Sequence, residues 1–173
     1  MVTFSTRVSS RWVVAAGVLM AAWLLAAAQA TQAQSSQSVD DMVIEAQRAL
    51  QKGKPRDAEN LLRKAIQAAP ERGELYILRS RARNSMGKFA AALEDANKYI
   101  ELEPNDAYGY LNRSLIHASQ EKPELALADA NKAIELEPNE PDGYYRRSDI
   151  YREMGRMAEA KADEAKAEQL DKS

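Results

Sequence analysis

LEDANKYIELEPN, residues 93–105, returns 34 residues later as LADANKAIELEPN, residues 127–139. Outward from that pair the same interval holds along most of the chain. Pro70, Pro104 and Pro138 keep it, as do Ala58, Ala92, Ala126 and Ala160. Tyr76, Tyr110 and Tyr144 keep it, with Met42 in their place one unit earlier. Gly53, Gly87 and Gly155 keep it too, and Glu121 stands where the third glycine of that column belongs. Columns held in one register without insertion define units at 39–72, 73–106, 107–140 and 141–173. A period of this size marks a stacked repeat array.

Within a unit the hydrophobic spacing is helical. In the third, Tyr110, Leu111, Ser114, Leu115 and Ala118 recur at three and four residues, which predicts an amphipathic helix from Tyr108 to Gln120. Glu121-Lys122-Pro123 interrupts it. Pro123 suits the first turn of a following helix, where its missing N–H costs nothing, and Pro55 holds the same place in the first unit. That second helix runs through Ala126, Ala130, Ala133 and Leu136 until Pro138-Asn139 stops it. Gly87 and Gly155 fall where the chain reverses, as a left-handed residue after a helix would.

A 34-residue helix–turn–helix with these columns resembles the tetratricopeptide repeat (TPR). The resemblance rests on the early aromatic, the small residue four later (Ser80, Ser114, Ser148), the turn glycine, the alanine opening the second helix and the closing proline. It covers 39–173 and implies an all-α, right-handed solenoid of four helix-turn-helix repeats, about eight helices. The first unit departs from it, with Glu45 where later units have arginine. The last departs as well: Glu164 replaces a small or apolar residue, and 161–173 is polar on most of its surface. Such a terminal repeat reads as the array's own solvating cap.

Two charged columns accompany the scaffold. Arg79, Arg113 and Arg147 recur at the repeat interval, and so do Asp95, Asp129 and Asp163, while the first unit has Glu45 and Leu61 and lacks both. Joint recurrence and joint absence predict a pair between the two helices of a unit or between neighbours. A planar guanidinium can satisfy a carboxylate with two hydrogen bonds. An arginine ladder for an anionic ligand is the alternative. Lys161, Asp163, Glu164 and Lys166 also read as part of a solvated helix surface.

The N-terminus is of another kind. Residues 1–30 contain Arg7 and Arg11, no acid, and an uncharged run from Trp12 to Ala30 that closes on Ala28-Gln29-Ala30. That is the pattern of a cleavable secretory signal. Its most apolar part, Val13 to Ala28, is 16 residues, short of the roughly 20 that span a bilayer. The alternative is a retained anchor over 12–30. Residues 31–38, rich in Gln and Ser, read as a flexible polar linker. Export to the periplasm or beyond follows as the expectation. Trp12 and Trp23 are the chain's two tryptophans, so removal of 1–30 would leave none.

Composition narrows the chemistry. The 173 residues include no Cys and one His, so thiolate metal sites, cysteine nucleophiles and two-histidine motifs are absent by count. With Arg7 and Arg11 set aside, the 24 basic residues become 22 against 26 acidic ones, which argues against nucleic-acid binding. No metal, cofactor or catalytic set is expected, and His117 reads as a packed structural residue. The expected role is non-catalytic: a scaffold holding a protein or peptide in a concave groove, in envelope assembly or export. By the geometry the resemblance implies, first helices of successive units line that groove. Its wall would include Ile77, Arg81, Asn84, Tyr108, Leu111, Asn112, Leu115, Tyr145, Arg146, Asp149 and Arg152. The carboxylate-gripping Lys–Asn–Asn–Lys–Arg set of chaperone-binding TPR domains is incomplete. Asn112 and Arg146 match, but Ile77, Arg81 and Asp142 do not.

Overall fold

The computed structural model describes residues 38–172; the leader and residues 31–37 of the expected linker lie outside them, and Ser38 already begins a helix. The chain divides into two units, 1–40 and 41–173. The described residues hold eight helices and no strand. They are α1 (38–51), α2 (Pro55–Ala68), α3 (Gly73–Ser85), α4 (Phe89–Leu102), α5 (Ala107–Ser119), α6 (Pro123–Leu136), α7 (Pro141–Glu153) and α8 (Met157–Leu170). In chain order they fall as four helix–turn–helix pairs. The helix expected over 108–120 starts and ends one residue earlier. No helix of the described residues is long and apolar enough to cross a membrane.

One turn geometry recurs inside every pair. The residue after the first helix's cap has positive φ: Gly53 at 66°, Gly87 at 70° and Gly155 at 74°. Its N–H bonds back to one carbonyl and the next N–H to another, as Gly87 to Asn84 (2.9 Å) and Lys88 to Arg83 (2.9 Å). These paired bonds are the Schellman motif that satisfies a helix's last carbonyls. Glu121 makes the same bonds, to Ala118 (2.8 Å) and from Lys122 to His117 (3.0 Å), with φ of 58° and a side chain that disfavours it. Replacing Glu121 with Gly should therefore raise stability by about 0.5–1 kcal/mol, after the entropy glycine loses on folding. A melting temperature that stays level or falls would show that the Glu121 side chain contributes more than its backbone costs.

The remaining columns explain themselves as contacts. Tyr76, Tyr110 and Tyr144 each donate a phenolic hydrogen bond to the carbonyl of the preceding turn's proline, at 2.9, 3.2 and 3.1 Å. Tyrosine and proline thus recur together because one holds the turn made by the other. Ser80, Ser114 and Ser148 donate to the carbonyls of Ala92, Ala126 and Ala160 at 2.9, 2.9 and 2.8 Å. All six of these residues are buried, so only small side chains let the two helices approach this closely.

The charged columns pair as expected, within each unit. Arg79 meets Asp95 at 2.9 and 2.6 Å, Arg113 meets Asp129 at 2.9 and 2.7 Å, and Arg147 meets Asp163 at 2.7 and 2.8 Å. Each guanidinium also lies over the tyrosine three residues earlier, 5.6–5.7 Å from its centroid. Asp163 therefore does not belong to the solvated face of α8: it is buried by its bond to α7. Arg113 and Arg147 reach back as well, donating to Asn97 (2.8 Å) and Asn131 (2.7 Å) of the unit before. The arginine that holds a pair together also registers it on its predecessor.

The stacking defines two unlike faces. Consecutive helices pack throughout from α2 to α8, and beyond that α3 touches α5 and α5 touches α7. The backbones of the second helices α2, α4, α6 and α8 stay farther apart, with Lys88 at the start of α4 reaching Glu59 of α2 at 2.6 Å. First helices therefore form a continuous inner edge. On α8 the polar side chains meet α7: Arg152 bonds Glu164 at 2.7 Å, and the Tyr145 hydroxyl donates to Asp171 at 2.7 Å.

Candidate interaction groove

The inner edge is where side chains of three units can meet one ligand. Arg81, Tyr108, Leu111, Asn112, Leu115, Tyr145, Arg146 and Asp149 converge on one cavity of about 350 Å³, joined by Asp142. Arg81 comes from α3, Tyr108, Leu111, Asn112 and Leu115 from α5, and Asp142, Tyr145, Arg146 and Asp149 from α7. Leu111 and Tyr145 share one column, and Arg81, Leu115 and Asp149 share another.

Three of the expected wall residues lie elsewhere, and a fourth lies deeper than a surface contact. Ile77 is buried in a cluster with Tyr76 and Tyr99. Asn84 is half-buried and donates to Ser119 at 3.4 Å. Arg152 is engaged on both sides, by Asp149 at 2.9 Å and Glu164 at 2.7 Å. Asn112 lines the cavity floor but is buried, its amide donating to Ser80 at 2.8 Å across the unit boundary. That bond commits one of the amide's two N–H groups to the scaffold. Tyr145 is likewise not free of structural duty: the bond to Asp171, with some burial, pushes its phenol up to about 12.

A second depression of about 340 Å³ adjoins the first, sharing Tyr108, Leu111 and Asp142 and adding Glu137, Glu140 and Gly143. Sequence reading missed Glu137 and Glu140 because they sit in the turn before α7, where no helical face fixes the direction of a side chain. Asp106 does local work nearby: it caps α5 by accepting from the Tyr108 N–H at 2.8 Å and accepts from the Tyr99 hydroxyl.

On the other side of the array His117 faces its partner helix, with Nε2 3.8 Å from Asp129. In its column Arg83 makes a full pair, bonding Asp95 at 2.9 Å and Glu59 of the preceding unit at 3.0 Å. Leu93 occupies the Glu59 column beside His117, so half of that network is missing. Burial lowers the imidazole below its ordinary 6.5; Asp129 opposes this, while Arg113 and Lys122 reinforce it. The folded chain then binds a proton less readily than the unfolded one. His117's contribution is complete above about pH 6.5 and is lost as pH falls toward the folded value. As the chain's single histidine, it should show a proton-NMR titration midpoint below 6.5, and His117→Gln should flatten the decline in stability between about pH 7 and pH 5. A midpoint above 6.5 would mean that Asp129 prevails over burial. Among the described residues no group of three or more His, Cys, Asp or Glu could hold a metal ion.

Fold and groove together define a helical-repeat scaffold. Tetratricopeptide repeat models match residues 73–106, 107–140 and 130–162, jointly more than half of the 173. The chain belongs to the tetratricopeptide-repeat family. Comparison with curated proteins returned no match. Among solved structures, a crystal structure of MamA is similar at 22% identity, covering 78% of each chain with a TM-score of 0.66. TTC0263, a thermophilic TPR protein in Thermus thermophilus, is similar at 18% identity over 78% of this chain and 75% of that one, with a TM-score of 0.71. The first TPR of Spaghetti (RPAP3), solved bound to the HSP90 peptide SRMEEVD, shares 25% identity over 69% of this chain and 95% of its own, at a TM-score of 0.62. The first two likenesses concern the fold alone.

Proposed function

We propose that this chain is a non-catalytic scaffold that holds a segment of another protein in the groove of α3, α5 and α7, in assembly or export at the cell envelope. The observation that carries the groove reading is the convergence of Tyr108, Leu111, Leu115 and Tyr145 beside Arg81 and Arg146 in one cavity. Aromatic and arginine anchors around an apolar floor are what interface hot spots are made of. The peptide-bound RPAP3 domain supports the same use of a related array. The envelope setting rests on residues 1–30 as a secretory signal; if 12–30 is instead retained, the same array works as the exposed part of a membrane-anchored subunit. Cell fractionation separates the two.

Tyr108 is 42% exposed and its ring makes no structural cluster, which makes it the cleanest probe of the groove. Tyr108→Ala and Arg146→Ala should each weaken capture of a bound protein by about 2 kcal/mol, roughly thirty-fold, with helical circular dichroism unchanged. Capture that survives both substitutions would move the binding surface to another face.

A further inference from the structure

We infer that the groove selects a segment bearing a basic and an acidic side chain on opposite sides of an apolar residue, and seats it in one orientation. This rests on the groove reading above and goes further by naming the chemistry of the occupant. The two adjoining depressions share Tyr108 and Leu111, so an apolar floor runs between them. The first holds Arg81 and Arg146 together with Asp142 and with Asp149, which Arg152 pairs; the second adds Glu137 and Glu140 and no base.

At one end, by the start of α7, stand Glu137, Glu140 and Asp142, all exposed and none held in an ion pair among the described residues. At the other stand Arg81 and Arg146. Arg81 has only the Tyr108 hydroxyl, at 3.3 Å, and Arg146 Nε is buried with no hydrogen-bond partner. Asp142 and Arg146 are four residues apart on α7, a spacing at which such residues commonly pair, yet they form no bridge. Neighbouring charges behave otherwise: Arg147 is closed by Asp163, and Arg152 by Asp149 and Glu164. What the array leaves unmatched is therefore one sign at each end of a single groove.

A partner covering this surface removes water from both ends, and each must then be met by its opposite charge. A uniformly acidic segment satisfies Arg81 and Arg146 but faces repulsion from the three carboxylates. A uniformly basic one fails at the other end. Seven residues of α5, from Tyr108 to Leu115, span about 10 Å. An extended segment turns every second side chain to the same face, so a base and an acid four apart, with an apolar residue midway, present all three to a floor of about that length.

The test is a random 12-residue peptide array probed with the full chain and with Tyr108→Ala, Arg146→Glu, Asp142→Lys and Glu140→Lys. Peptides retained by the parent should combine Lys or Arg with Asp or Glu around an apolar residue. Arg146→Glu should weaken them at least ten-fold and recover peptides whose acid is exchanged for Lys; the two lysine variants should recover those whose base is exchanged for Glu. Retained peptides that need Tyr108 but are uniformly acidic, or that ignore both lysine substitutions, would overturn the two-ended selection while leaving the groove in place. Peptides indifferent to Tyr108→Ala and to every charge reversal, or no retained peptide at all, would overturn the groove reading with it.

Discussion

Arg113→Met should destabilise the array by about 3 kcal/mol, because it leaves Asp129 buried without its two hydrogen bonds. His117 stands 3.8 Å away and is held toward neutrality by burial, so it is a poor substitute cation. The loss includes the bond to Asn97 and with it part of the registration on the second unit. Asp129→Leu should cost less. The Arg113 side chain is 26% exposed and can turn its head toward water, whereas the Asp129 side chain is 8% exposed and cannot. The double variant should then recover at least half of what Arg113→Met loses, since a buried pair replaced by apolar groups leaves no stranded charge. Thermal unfolding followed by circular dichroism on all four proteins measures this. Simple additivity of the two single effects would remove the stranded-charge explanation.

Ile116→Ala should cost about 3 kcal/mol, within the usual range for emptying a fully buried aliphatic site. Ile116 is 0% exposed and packs on Ala92 and Ala96 of α4, with Phe89 and Leu93 around it. Its loss therefore falls on the contact between the second and third units rather than inside either. In a linear array stability is approximately a sum of unit terms and nearest-neighbour terms. Weakening one neighbour term lets the two sides of that boundary melt separately. Denaturant unfolding should change from one transition to a broadened or two-step curve, with lower apparent cooperativity. Ser114→Ala, which removes a bond inside the third unit, is the control, and a single sharp transition in Ile116→Ala would refute the boundary argument.

The columns were legible because each is a local contract. Tyr76 needs Pro70, Ser80 needs Ala92, and Lys88 and Gly87 need the carbonyls one turn back. Such partners stay at fixed offsets, so periodicity exposes them. Arg79 and Asp95 are also a constant 16 residues apart, and their joint absence from the first unit betrayed them. The groove was legible only as a set of outward columns. Column arithmetic says which way a side chain leaves its helix, but not how far the neighbouring unit rises over it. Ile77 is covered, and Asn112 is tied down by a serine 32 residues away. Asp163 reads both as a partner of Arg147 and as part of a solvated face, and α7 reaching over it decides for the first. The acidic end was not legible, because Glu137 and Glu140 sit in the turn between α6 and α7, where repetition (Glu103, Glu137) does not tell which way a side chain points.

The unequal packing of the two edges gives the array an elastic character. First helices already pack together, α3 on α5 and α5 on α7, whereas the backbones of the second helices stand farther apart. Close-packed side chains resist compression steeply and yield more gently to separation. Bending that narrows the groove must drive touching helices into one another; bending that widens it only loosens them while the outer helices close a free gap. The array is thus a clasp with a fixed smallest bite and a compliant largest one. Under the proposed groove reading, a thick partner would be accommodated and a thin one would not be gripped.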